Sequence, residues 1–169
     1  MGKLIRFWYP VLVGVLLGLI QTGLFLQLSF TLSSSFSTYL MVTLAWLIGS
    51  AIGVYALSHK PLKLFLVVFL AGYGGINLLL VLLPFSTEWW PLYALIVVLM
   101  GLYPGVFFGR MGRYYPARVL FFRENNGFIV GLVTGTLLFI LYGRGVLWGL
   151  PLVMAIVLFT ISEGMFDRN

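Results

Sequence analysis

No cysteine occurs in these 169 residues. Disulfides, thiolate catalysis and cysteine metal sites are therefore excluded. Acids are nearly as scarce: Glu88, Glu124, Glu163 and Asp167 are the whole set, and His59 is the only histidine. All of these fall between or at the ends of apolar runs. A carboxylate proton relay, a haem held by two histidines and a carboxylate metal cluster all lack the residues they need. The expectation is a chain with no catalytic residues, no resident cofactor and no metal. Charged residues of both signs make up only 8% of the chain, against roughly 25% in soluble globular proteins.

What is present in abundance is apolar. Hydrophobic residues account for 62% of the chain and the mean hydropathy is +1.10. Crossing a bilayer takes about 20 apolar residues in a helix. Runs of this kind cover Trp8–Thr31, Phe36–Leu57, Leu62–Leu83, Trp90–Phe108, Asn126–Tyr142 and Val146–Ser162. The sequence predicts an all-α bundle of six transmembrane helices in one domain spanning residues 1–169, with no room for a soluble one. The N-terminal apolar stretch is too long for a signal-peptide core and no small-x-small cleavage pattern follows it, so it reads as a retained first helix. Arg6 stands where a myristoylation site needs Ser or Thr.

Charge placement predicts the orientation. With the N-terminus inside, Lys3, Arg6, Lys60, Lys63, Arg110, Arg113, Arg118, Arg123 and Arg168 are cytoplasmic. Of the 10 Lys and Arg residues only Arg144 is left outside. That bias puts both termini in the cytoplasm and suggests a bacterial or archaeal inner membrane. It also accounts for the +6 net charge without nucleic-acid binding.

Short turns separate the spans. Ser33-Ser34-Ser35 marks the first outer turn, Ser58-His59-Lys60-Pro61 the inner turn that follows, and Pro84 to Pro91 the second outer turn. Trp89, Trp90 and Tyr93 form an aromatic belt at its edge. Gly143-Arg144-Gly145 is the third outer turn, with Arg144 on the same predicted face as Glu88. Only the loop from Arg110 to Asn125 reads as long. Asn125 or Asn126 is the expected N-cap of the fifth helix.

Two glycine ladders flank that loop: Gly101, Gly105 and Gly109 before it, Gly127, Gly131 and Gly135 after it. Each repeats at i, i+4, i+8 and clears one helix stripe. Gly14 and Gly18, Gly49 and Gly53, and Gly145 and Gly149 repeat the spacing in other spans. Helices in lipid gain little from hydrophobic contact, so small residues that let backbones approach mark packing surfaces. The ladders point to a close helix-four/helix-five element, with the partner either in this chain or in another. Pro104 within the fourth helix predicts a kink.

The uncharged polar residues Gln21, Gln27, Ser50, Asn77, Thr134 and Thr136 have two readings. They either line a solute site or bond neighbouring helices. Asn77 stands out because Gly72, Gly74 and Gly75 leave room near it. The loop arginines Arg110, Arg113, Arg118 and Arg123 alternate with Tyr114, Tyr115, Phe121 and Phe122. This mixture suits anionic headgroups at the cytoplasmic face or a docking partner.

The stretches Met100-Gly-Leu-Tyr-Pro-Gly105, Pro116-Ala-Arg-Val-Leu120, Glu124-Asn-Asn-Gly-Phe-Ile-Val-Gly131 and Leu141-Tyr-Gly143 resemble the fourth-to-sixth-helix region of the multi-spanning domains fused to spermidine synthase-like proteins. These in turn resemble half of a major facilitator transporter. Trp46-Leu-Ile-Gly-Ser-Ala-Ile-Gly53 is similar to the second helix of the same group. The resemblance implies a facilitator-half-like bundle. The chain departs from it after Gly53, where Ala56-Leu-Ser-His-Lys-Pro replaces an acidic, glycine-bearing turn. Polyamine chemistry is not implied, because no aminopropyl-transferring domain is present.

These readings converge on a non-catalytic structural or accessory subunit of a larger membrane complex, scaffolding other subunits and lipid or a quinone cleft. The competing expectation is a homodimeric small-solute transporter or facilitator built from two copies of the chain.

Overall fold

The computed structural model describes the backbone of residues 2–33 and 36–166 and the side chains of residues 7–33 and 36–161. Lys3, Arg6, Ser34, Ser35, Glu163, Asp167 and Arg168, named above from the sequence, lie outside the described side chains. Six α-helices follow one another: α1 (Gly2–Thr31), α2 (Phe36–Ala56), α3 (Leu62–Leu82), α4 (Trp90–Met111), α5 (Ala117–Tyr142) and α6 (Arg144–Phe166), with one 3-10 turn at Thr87–Trp89. No strand occurs among the described residues. All six helices are long and apolar enough to cross a membrane, and the protein is an integral membrane protein.

Four helices keep the predicted limits to within a few residues, and α1 begins six residues before the predicted Trp8. The larger departure is α5. It starts at Ala117, with Pro116 as its N-cap, and not at Asn125 or Asn126. The expected long loop shrinks to the few residues after Met111, because Ala117 to Glu124 forms two further helical turns. A charged stretch fails a hydropathy window, but helix propagation requires no apolarity: Ala, Arg, Leu and Glu are all good helix formers. α4 runs unbroken through Pro104, which is buried.

The single domain expected from sequence packs as two compact units. Residues 1–23 and 115–169 make the first, residues 24–114 the second.

In the first unit, α1 and α5 approach through their glycines. The position a Cβ would take on Gly14 or Gly18 is filled by the carbonyl oxygen of Glu124 or Phe128. Reciprocally, the space beside Gly127 and Gly131 is filled by the oxygens of Val11 and Val15. Residue numbers rise together on both helices, so the pair is parallel. Gly135 continues the stripe against side chains of Leu19 and Thr22.

The second unit repeats the arrangement between α2 and α4. Gly49 and Gly53 meet the oxygens of Val98 and Leu102, while Gly101 and Gly105 meet those of Trp46 and Ser50. In both zippers each glycine faces the carbonyl three residues before its partner glycine. This geometry points a Cα–H at an oxygen, an interaction contributing about 0.5–1 kcal/mol. The Ser50 hydroxyl adds a bond to the Gly101 carbonyl at 3.2 Å.

The ladder on α4 faces α2 and the ladder on α5 faces α1, so each finds a partner within its own unit. Gly145 and Gly149 on α6 have nothing within 4 Å of an added Cβ among the described residues, so their spacing marks no close contact there.

Rings fill the space between α2, α3 and α4. Trp46 meets Phe69 edge-on at 5.8 Å, and Phe69 stacks on Tyr103 at 5.1 Å. Such pairs add about 0.5–1.5 kcal/mol each beyond the area they bury. The loop after α3 is clipped to the end of α1, where the Phe85 N–H donates to the Thr31 carbonyl at 2.9 Å. Phe85 holds a left-handed conformation (φ 62°) to make that turn.

Candidate functional site

Buried polar groups in an apolar bundle must find partners, because lipid offers none. In the second unit Gln27, near the end of α1, and Asn77 on α3 are each only 2% exposed. The Gln27 side-chain amide donates to the Asn77 carbonyl oxygen. Asn77 uses its own Nδ2 to donate to the Tyr73 backbone carbonyl at 2.8 Å. The Tyr73 side chain hydrogen-bonds to both amides. The result is a three-residue polar knot joining α1 and α3. Its members bond one another instead of facing an opening. The nearby glycines do not create space for it: Gly74 and Gly75 border nothing within 4 Å, and Gly72 faces Met100 and Ile96 on α4.

The remaining polar candidates are dispersed. Thr136 returns its hydroxyl to the Leu132 carbonyl of its own helix at 2.8 Å. Thr134 and Gln21 are half-buried, and Ser50 is engaged in the α2/α4 zipper. His59 is exposed in the turn after α2. Among the described residues no three His, Asp or Glu side chains gather as a metal site would require.

Glu124 is the residue that sequence reasoning misplaced. The early start of α5 moves it from a loop to the interior of a membrane-spanning helix. It is 5% exposed and shares the buried face of α5 with Leu120, Gly127, Gly131 and Gly135. Ionisable residues in such positions are costly and tend to mark function. The signal was available as a stripe: residues 120, 124, 127, 131 and 135 follow one helical face, and Pro116 is a helix-start signal.

The four arginines expected to form one basic loop do different things. Arg110 lies in the last turn of α4, and its guanidinium donates to the Lys60 carbonyl at 3.1 Å. It thereby ties α4 to the turn before α3. Arg113 and Arg118 are exposed. Arg123, in the second turn of α5, lies over the Phe7 ring of α1 at 3.9 Å from the ring centre, with Tyr115 at 5.9 Å. Phe7 in turn meets Trp8 edge-on at 5.4 Å. Glu88 and Arg144 are both exposed but belong to different units.

The chain matches no protein-family model, no curated protein and no solved structure.

Proposed function

We propose that this protein is a non-catalytic structural or accessory subunit of a larger membrane complex, holding neighbouring subunits and lipid. The observation that carries the proposal is that the polar side chains most open to a solute role are bonded within the protein. Gln27, Asn77 and Tyr73 bond each other, and the Ser50 and Thr136 hydroxyls bond backbone carbonyls. A solute path needs such groups turned toward an opening. Meanwhile α2, α5 and α6 present large apolar side chains outward along their whole length, from Tyr39 to Tyr55, Phe121 to Tyr142 and Trp148 to Phe159. These faces suit lipid tails and neighbouring helices. The basic residues at the end of α4 and the start of α5 support the reading in which both termini are cytoplasmic by the positive-inside rule, in a bacterial or archaeal inner membrane.

A second reading, a homodimeric small-solute transporter or facilitator, has its own support. The zippers pair α1 with α5 and α2 with α4. Exchanging the first three helices for the last three turns one pairing into the other. That is the pattern of an inverted three-plus-three repeat, as found within transporter halves, and it agrees with the facilitator-half resemblance. Thr22 and Tyr93 also carry buried hydroxyls without a hydrogen-bond partner in the structure.

Purification in mild detergent, with mass spectrometry of the co-purifying chains, separates the two. Different subunits in fixed stoichiometry support the scaffold. A clean homodimer that admits glycerol in a proteoliposome swelling assay, and loses that flux on Asn77→Leu, supports the transporter and overturns the scaffold.

A further inference from the structure

Arg123, in the second turn of α5, is held in an unusual way. Its guanidinium carbon stands 3.9 Å from the centre of the Phe7 ring. The cation thus rests over the ring face, a cation–π contact. A guanidinium carries five N–H donors, more than one ring face can occupy. Tyr115 stands at 5.9 Å. The two rings hold the cation in place, and no hydrogen bond to Arg123 is found among the described residues.

The depth of this fork matters. Tyr142, the last residue of α5, lies 19 positions beyond Arg123, or about 28 Å at 1.5 Å per residue. The hydrocarbon core of a bilayer is about 30 Å thick. With Tyr142 at one boundary, Arg123 falls at the other, at the level of headgroup phosphates. Around it Phe7, Trp8, Phe121 and Phe122 are exposed, as interfacial rings are. Arg118 adds an exposed cation five residues nearer the helix start, while Arg123 itself is half-buried. The adjacent acid, Glu124, is buried on the α1-facing stripe and offers no exposed negative charge.

We infer that Arg123, stacked on Phe7 and flanked by Tyr115, binds the phosphate of an anionic phospholipid headgroup, with Arg118 supplying the surplus positive charge. A planar guanidinium fork matches two phosphate oxygens at once, which a lysine ammonium does not. The inference rests on the reading of the chain as a lipid-contacting membrane protein. It does not need any partner subunit.

The test is native mass spectrometry of the full chain, delipidated in detergent and titrated with dioleoyl phosphatidylglycerol or dioleoyl phosphatidylcholine. The wild type should retain one phosphatidylglycerol in preference to phosphatidylcholine. Arg123→Gln should weaken that binding by about tenfold or more, the scale of lost charge-assisted hydrogen bonds. Arg123→Lys should recover little of it, and Arg113→Gln should behave as wild type. Phe7→Leu, which keeps the arginine but removes its platform, should weaken binding in the same direction, and it serves as the probe if Arg123→Gln fails to fold. Unchanged binding in Arg123→Gln or Phe7→Leu overturns the inference. So does an equal loss in Arg113→Gln, or equal retention of the two lipids. Because the isolated chain is used, co-purification of other subunits is a separate readout: either result can fail without the other.

Discussion

A methyl group on Gly105 should be far more costly than the same group on Gly74, although both glycines lie within helices of the second unit. At Gly105 the new carbon would press on the Ser50 carbonyl oxygen, with the Ser50 carbonyl carbon and the Gly53 Cα both at 2.9 Å. All three are backbone atoms that cannot rotate aside. Ordinary contact begins at 3.4 Å, so α2 must retreat by about half an ångström for the carbon contacts alone, and further for the oxygen. A gap of that size forfeits roughly a quarter to a half of each van der Waals contact along the seam. Overpacking of this kind costs about 1–3 kcal/mol, offset by about 0.5–1 kcal/mol from the better helix propensity of alanine. Gly105→Ala should therefore destabilise by about 1–2 kcal/mol. At Gly74 the methyl meets nothing within 4 Å, leaving only the propensity gain. Reversible unfolding in mixed micelles of mild detergent and sodium dodecyl sulfate, followed by tryptophan fluorescence, measures both. Equal shifts for the two variants would refute the zipper as the source of stability.

Further consequences can be measured in the same assay. A double-mutant cycle on Gln27→Leu and Asn77→Leu should give a coupling of about 0.6–2 kcal/mol, the range for interhelical polar pairs; zero coupling would remove the polar knot as glue between α1 and α3. Glu124→Gln keeps the shape of the buried side chain and should fold like the wild type, whereas Glu124→Ile or Glu124→Lys should not; a fully stable Lys variant would mean that this position is open to water. Gly143 has φ 75° at the end of α5, so Gly143→Val should cost about 1–3 kcal/mol in backbone strain. Gly145→Val, with open space around it, serves as its control and should cost clearly less.

The spans were legible because hydropathy reports burial in lipid directly. Glycine spacing located the stripes on α1, α2, α4 and α5 for a similar reason: missing side chains are visible in a sequence. Pairing was not legible, since Gly101 and Gly105 could have fitted any of several glycine faces. Only the three-dimensional arrangement matches them with Gly49 and Gly53. The start of α5 was hidden by Arg118, Arg123 and Glu124, whose charges resemble a loop to any measure of apolarity. That single misplacement also hid Glu124 as a buried acid and Arg123 as a stacked one. The knot of Gln27, Asn77 and Tyr73 shows the opposite case. Its residues were visible as polar exceptions, but their mutual bonding depends on the register of α1 against α3.

The parallel direction of the two zippers governs the order in which the chain can be assembled. Neighbouring helices in a membrane run antiparallel, so a parallel partner is never the next one made. α2 must wait for α4, and α1 must wait for α5, whose Gly127 leaves the ribosome more than a hundred residues after Val11. At about 5–20 residues per second, the Gly14 and Gly18 groove stays unfilled for roughly 5–20 s. During that interval α1 offers its bare backbone to any small-residue helix in the insertion machinery or the surrounding bilayer. Faithful biogenesis thus depends on that groove being shielded, or on wrong partners leaving faster than α5 arrives.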